Sequence, residues 1–256
     1  MTATPENPII FYDIASKPGR YWSFNTYKTR LTLSYKGLPY RVQYIRFHEI
    51  ESTMRALGMP QVSETVPHYT LPIIADPSSD PNGKPTFVSD SFKIAIYLDE
   101  KYHAPQYPVV LPLATRPLQK IFIEQHFFTF ARPLFPFIHP IAINTLMDAD
   151  EREGLFKRMS PDRFNPPTKE AAAQSLAEAQ DKWTELGQIF ELGGGLFIMG
   201  DVPTLADFAI GGILDVLYKA QGDSDIWRQA MGWQDGRWAR YWKEIQALEK
   251  KTPELA

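Results

Sequence analysis

Everything in this chain that reads as β-strand lies before a single proline-rich stretch. From His103 to Pro117, prolines fall at 105, 108, 112 and 117. Neither a helix interior nor a sheet interior tolerates that density, so the stretch reads as a linker. Ahead of it, Ile9–Ile14 (IIFYDI) has strand composition, and residues 40–47 (YRVQYIRF) alternate, with Val42 and Tyr44 opposite Arg41 and Gln43. Between them, residues 25–36 lack Gly and Pro and stop at Gly37, which predicts a helix of about three turns with Asn25 or Ser23 as N-cap and Gly37 just past its end. A β–α–β order implies a parallel pair with a right-handed crossover. A short helix is expected near residues 48–57. The runs 71–76 and 85–89 flank the turn-forming PSSDPNGK and so predict a hairpin. Residues 91–102 predict a further helix that starts at Asp90-Ser91 and buries Phe92, Ile96 and Leu98.

Beyond the prolines only helical periods remain. Residues 118–131 are expected to be helical. Residues 169–192 carry Leu176, Ala179, Trp183, Leu186 and Phe190 at alternating steps of three and four, a buried stripe on a long helix. Thr204-Leu205-Ala206-Asp207 has the form of a helix start and predicts a helix over 204–218. Residues 237–250 put Trp238, Tyr241, Trp242, Ile245 and Leu248 on one face. The expected fold is thus an α/β domain over residues 1–103, a linker over 104–112 and an all-α domain over 113–256, a division that 256 residues accommodate.

Composition narrows the function. With 27 basic and 30 acidic side chains the net charge is −3, without the basic excess of a nucleic-acid binder. There is no cysteine. This excludes a disulfide framework, Cys-ligated metal and any cysteine nucleophile, so thiol chemistry must use a sulfur that arrives with a ligand. The start MTATPENP has neither a basic nor an apolar region of a secretory signal. The longest apolar stretch, 121–143, contains Glu124, His126, Arg132, Pro133, Pro136 and His139 and does not read as a membrane span. A cytoplasmic protein is expected. The five histidines, at 48, 68, 103, 126 and 139, show no metal-binding spacing, so no metal is expected, although His48 and His68 lie near the site outlined below. Gly193-Gly194-Gly195 lacks the Lys-Ser/Thr tail of a phosphate loop and reads as a helix stop. The tryptophans at 227, 233, 238 and 242 read as packing residues.

Three motifs carry a family resemblance: Thr70-Leu71-Pro72 leading into Ile73-Ile74-Ala75-Asp76, Asp90-Ser91 before Ile94-Ala95-Ile96-Tyr97-Leu98, and Pro203-Thr204-Leu205-Ala206-Asp207. In this order and spacing the chain resembles the cytosolic glutathione transferases over nearly its whole length. Ser23-Phe24-Asn25-Thr26-Tyr27-Lys28-Thr29-Arg30, followed by Tyr35-Lys36-Gly37-Leu38-Pro39-Tyr40, is similar to the fungal ether-type class and its bacterial lignin β-etherase relatives. The resemblance implies a thioredoxin-like first domain that binds glutathione as co-substrate and a helical second domain that lines a hydrophobic site. It further implies a homodimer, with no nucleic-acid or membrane partner. It places Ser23 against the thiol and the Leu71–Pro72 bond in the cis form. Thr70, Leu71 and Pro72 would then pair with the peptide backbone, Asp90 with the γ-glutamyl ammonium and Ser91 with its carboxylate.

The physical chemistry is compatible with those roles. A helix start offers orphan N–H donors and a positive dipole end to a thiolate, and a hydroxyl adds one more donor. Lowering a thiol pKa by about two units takes about 2.7 kcal/mol, the order that these groups supply together. Asn25 is either a cap or a second thiol contact, and Ser23 has its own plain reading as a cap. The run Phe127, Phe128, Phe130, Phe135, Phe137 lies where the resemblance implies the hydrophobic site, some rings filling the core and others facing ligand. The expected activity is attack by the thiolate on hydrophobic, aromatic electrophiles or aryl ethers. The alternative is a non-catalytic ligandin that binds hydrophobic aromatic compounds.

Overall fold

The computed structural model describes residues 3–17, 21–65, 67–78, 80, 83–156 and 160–255. The chain forms two units, one of residues 1–111 with 247–256 and the other of residues 112–246.

The first unit is built on a four-stranded sheet in the order β2-β1-β3-β4, from β1 (Ile9–Ile14), β2 (Tyr40–Ile45), β3 (Ile73–Asp76) and β4 (Thr86–Ser89). β1 and β2 are parallel, joined through α1 (Phe24–Lys36), while β3 runs antiparallel to both β1 and β4. The expected order of elements is thus present. The turn expected between β3 and β4 falls partly outside the described residues. One face of the sheet packs Ile9, Phe11 and Ile74 with Leu33 of α1 and with Ile94 and Leu98 of α3 (Ser91–Lys101). The other packs Tyr12, Ile45, Ile73 and Ala75 with Ile50 and Met54 of α2 (Ile50–Ala56) and with Leu71. β1 and β3 are covered on both faces and therefore read as continuous apolar runs.

Helix ends follow local chemistry. Ser23 caps α1 with extended backbone, and Gly37 leaves it at φ 70°, where its N–H reaches the carbonyls of Leu33 and Ser34. In α3 the buried stripe runs through Phe92, Ile94, Ala95 and Leu98, while the expected Ile96 is only half-buried. A helix wedged between a sheet and α1 covers a wider arc than a single-sided stripe.

The proline-rich stretch is less free than a linker. Asp99 accepts hydrogen bonds from the Val110 and Leu111 amides and from Lys36 Nζ, at 3.1, 2.8 and 2.8 Å, and Lys36 also donates to the Pro108 carbonyl at 2.7 Å. Val110 and Leu111 are fully buried, and residues 104–111 group with the first unit. So do residues 247–256, which the sequence assigned to the helical domain. The Ser34 hydroxyl lies 2.8 and 2.7 Å from the Leu248 and Glu249 carbonyls, and the Leu255 amide donates to the Tyr40 carbonyl at 2.8 Å.

In the second unit the helix expected over 118–131 is divided. α4 (Arg116–Ile121) passes through a π-turn at Phe122–His126 into α5 (Phe127–Ala131). Two helices that the sequence did not announce follow, α6 (Phe135–Leu146) and α7 (Ala149–Phe156). Pro136 sits in the first turn of α6, where a missing N–H costs nothing, and Pro140 lies inside it. α8 (Lys169–Leu192) has the expected bounds and stops at Gly193. α9 (Leu205–Gln221) is buried all round through Leu217 and forms the centre of the unit. α10 (Asp225–Lys250) loses helical geometry at residues 233–236, immediately before the helix expected from Arg237. All four tryptophans of this region are buried, as packing residues are. No helix among the described residues is long and apolar enough to cross a membrane.

Candidate functional site

Sheet register sets the site's location. Tyr12 of β1 pairs with Ile73 of β3, and Ile73 pairs with Ser89 of β4. The end of β1, the start of β3 and the end of β4 therefore lie together at one edge. Pro72 precedes β3, and Asp90 follows β4. The Asp90 amide donates to the Pro72 carbonyl at 3.2 Å, tying the two motifs directly. The Trp22 indole N–H donates to the Ala15 carbonyl just past β1, at 3.3 Å, which tethers Ser23's neighbour to the same edge.

Around Pro72 the geometry is as expected from the motif. The Leu71–Pro72 bond is cis, as is Ala104–Pro105, which the sequence did not flag. Thr70 is exposed, whereas Leu71 and Pro72 are buried. Among the described residues, neither the Leu71 N–H nor its C=O has a hydrogen-bond partner. Buried backbone groups are nearly always paired, so this peptide unit is equipped to take an extended chain.

Asp90 is exposed and holds φ 82°, an unusual backbone for any residue but glycine. One carboxylate oxygen, Oδ1, accepts from both the Phe92 and Lys93 amides at 3.0 Å. Among the described residues the second oxygen has no hydrogen-bond partner. Ser91 is buried at the first position of α3.

At the head of α1, Ser23 Oγ accepts from the Asn25 amide at 3.2 Å. A hydroxyl that accepts through a lone pair keeps its proton to donate, so capping and donation to a thiol are compatible. Asn25 is exposed, and its Oδ1 accepts from Lys28 Nζ at 3.1 Å. Ser23 and Asn25 share the sheet edge with the Leu71–Ser91 group, although no hydrogen bond joins the two groups among the described residues. His48 is exposed beside Glu49, and His68 turns its Nδ1 to the Ser63 carbonyl at 3.2 Å, so neither is built into the group.

In the second unit, Phe127, Phe130 and Phe137 are buried, while Phe128 and Phe135 keep partial exposure. These two stand in a row of rings. Phe128 meets Phe135 edge-on at 6.4 Å, Phe135 stacks on His139 at 4.5 Å, and His139 is 5.9 Å from Phe164. The place of His139 in this row was not foreseen, and only the helical geometry of α6, which sets 135 and 139 one turn apart, reveals it.

Comparison with known proteins covers both units. The family model for the glutathione S-transferase N-terminal domain matches residues 22–101, and that for the C-terminal domain matches residues 117–248. A glutathione S-transferase-like protein of Aspergillus flavus, ustS, is 28% identical over 276 residues, covering 99% of this chain and 96% of its own. The crystal structure of a Ceriporiopsis subvermispora glutathione S-transferase in complex with glutathione superposes with TM-score 0.83 at 31% identity, covering 95% of this chain and 98% of the other. A Phanerochaete chrysosporium glutathione transferase, also solved, gives 0.81 at 28% identity, with 94% and 97% covered.

Proposed function

Because the chain belongs to the glutathione S-transferase family, we propose that its sheet-edge site binds glutathione and activates the thiol for attack on hydrophobic, aromatic electrophiles or aryl ethers. The observation that carries this is the convergence at one sheet edge of the hydroxyl-capped start of α1, the unpaired Leu71 peptide unit and the Asp90-Ser91 start of α3. The similar Ceriporiopsis protein, solved with glutathione bound, supports the same ligand here.

Each residue then has a task that its surroundings permit. The Leu71 N–H and C=O pair with the tripeptide backbone as an added strand, with Thr70 and Pro72 shaping the approach. Asp90 uses its second carboxylate oxygen for the γ-glutamyl ammonium, and Ser91 with its hydroxyl and its own N–H takes the adjoining carboxylate. Ser23 donates its hydroxyl to the sulfur, and the α1 dipole adds to the field that favours thiolate. Asn25 stands beside the sulfur with its amide nitrogen still able to donate. The thiolate attacks the electrophilic carbon, forming a C–S bond while the leaving group departs with the bonding pair. Within the second unit by itself, Phe128, Phe135 and His139 form a row of partly exposed rings of the kind that contacts aromatic compounds.

The same aromatic row supports a second reading, a ligandin that holds aromatic compounds without converting them. A homodimer and a cytoplasmic location are part of the proposal on family grounds. Calorimetric titration with glutathione tests the site itself, and absence of binding overturns it. Turnover of an electrophile panel, run beside displacement of a bound dye, separates enzyme from ligandin. Displacement without turnover decides for the ligandin.

A further inference from the structure

Tyr21 and residues 249–255 lie outside both matched regions, yet the structure knots them together beside Ser23. The hydroxyls of Tyr21 and Tyr27 donate to the two oxygens of the Glu249 carboxylate, Tyr27 at 2.9 Å. The two rings stack with centroids 5.5 Å apart, and the Arg30 guanidinium lies 4.0 Å over Tyr21. Arg30, itself 3% exposed, is held by Asp13 at 2.9 Å and Glu254 at 2.6 Å. Burial opposes its charge, but Asp13, Tyr40, Tyr44 and Glu254 together outweigh that effect, so the guanidinium stays protonated. Glu249 is fixed from its backbone as well, because the Ser34 hydroxyl sits 2.7 Å from its carbonyl.

The two tyrosines bracket the cap, one ahead of Ser23 and one a helical turn beyond it. The Tyr27 amide donates to the Ser23 carbonyl at 3.0 Å, which closes that turn. A bidentate carboxylate that grips both sides restricts the direction in which the Ser23 hydroxyl and the first-turn amides face. Around Glu249 the charged and titratable groups are Tyr21, Tyr27, Tyr40, Tyr44, Arg30, Lys250 and Glu254. Most of them line a hollow of about 350 Å³ in the first unit. Burial pushes the Tyr40 hydroxyl up to about 12, so it stays neutral there.

We propose that Glu249 is a positioning residue: by joining Tyr21 to Tyr27 it locks the first turn of α1 and thereby aims Ser23. The consequence for the thiol rests on the Ser23 role proposed above, whereas the lock does not. The experiment uses the full chain as Glu249→Gln and, independently, as Tyr21→Phe with Tyr27→Phe, beside Ser23→Ala. Two quantities are read. One is hydrogen exchange at the Tyr27 and Lys28 amides, with α9 amides as reference. The other is the pH at which the thiol of bound glutathione is half ionised, followed by its thiolate absorbance.

Both sets of substitutions are expected to speed first-turn exchange about tenfold against the α9 reference. They are expected to raise the thiol midpoint by about half a pH unit, with the glutathione Kd unchanged because its peptide contacts lie elsewhere. Unchanged exchange in both overturns the lock. Faster exchange without a midpoint shift, where Ser23→Ala does shift it, overturns the positioning role. If Ser23→Ala leaves the midpoint in place, the Ser23 role falls, and exchange alone decides for or against the lock.

Discussion

The helices α1 and α9 both begin on a hydroxyl-bearing residue, and their surroundings give those starts different uses. At α9 the start is sealed. Thr204 and Asp207 are fully buried in a reciprocal capping box. The Asp207 carboxylate takes donors from the Thr204 amide and hydroxyl, both at 2.9 Å, from the Ile198 amide at 2.9 Å and from the Tyr241 hydroxyl at 3.3 Å. At α1 the start is open. Ser23 is half-buried, Asn25 is exposed, and the first turn has no acidic residue to occupy its donors. A cap whose donors are satisfied internally stabilises the fold. One that leaves donors toward solvent can hold an anion as well.

The strongest way to break this contrast is at the sealed end. Asp207→Ala leaves the Thr204 amide and hydroxyl and the Ile198 amide without their acceptor and is expected to lower the unfolding free energy by about 3–5 kcal/mol, measured by urea denaturation. A loss under ~1 kcal/mol would place the α9 box among ordinary surface caps. The charge itself is testable by pH. Burial pushes Asp207 up to about 6, against opposing hydrogen bonds from Ile198, Thr204 and Tyr241. The unfolded chain ionises this group first, so rising pH favours unfolding. The contribution of Asp207 is fully present below its ordinary pKa, near 3.8, and is lost as pH rises toward about 6. Relative to Asp207→Asn, the parent is expected to lose on the order of 3 kcal/mol between about pH 4 and pH 7. A pH-independent difference contradicts this.

At the open end the effects are expected in binding and rate. Asp90→Asn keeps the acceptor that caps α3 and removes the charge, so glutathione affinity is expected to fall by about 1–3 kcal/mol with little change in Tm. Calorimetry that gives an unchanged Kd removes the ammonium pairing. Ser23→Ala deletes one donor to sulfur and leaves the helix-end amides. Turnover at neutral pH is then expected to fall roughly tenfold and the thiol midpoint to rise by about one unit. Loss of the cap adds about 1 kcal/mol of destabilisation. If Asn25→Ala shifts the midpoint instead, Asn25 is the thiol partner. The smallest effect is expected at Phe135→Leu, which removes the stack on His139 and is expected to weaken an aromatic ligand by about 0.5–1.5 kcal/mol in dye displacement.

Much of the fold was legible because it is local. Ser23, Gly37, Asp90 and Thr204 mark helix ends through bonds to residues two to five positions away, and such signals survive in sequence. The apolar run Ile9–Ile14 and the turn after residue 76 identified the sheet for the same reason. The Leu71–Pro72 and Asp90-Ser91 motifs were visible one at a time. That they meet is a property of register, from Tyr12 to Ile73 to Ser89.

What only the tertiary structure decided involves partners far apart in the chain. Periodicity put Ile96 in the core of α3, but contact with the sheet and α1 gave that place to Ile94 and Ala95. No pattern told Phe128 and Phe135 from the buried Phe127, Phe130 and Phe137, because all five have the same chemistry and differ only in what covers them. The sequence by itself determined where elements start and stop and which motifs stand at their ends. Glu249 beside Tyr21 and Tyr27, and residues 247–256 on the first unit rather than the second, were settled by packing across more than two hundred residues. Long-range pairs like these have no fixed spacing, since the free energy of closing so long a loop hardly depends on where the partner lies.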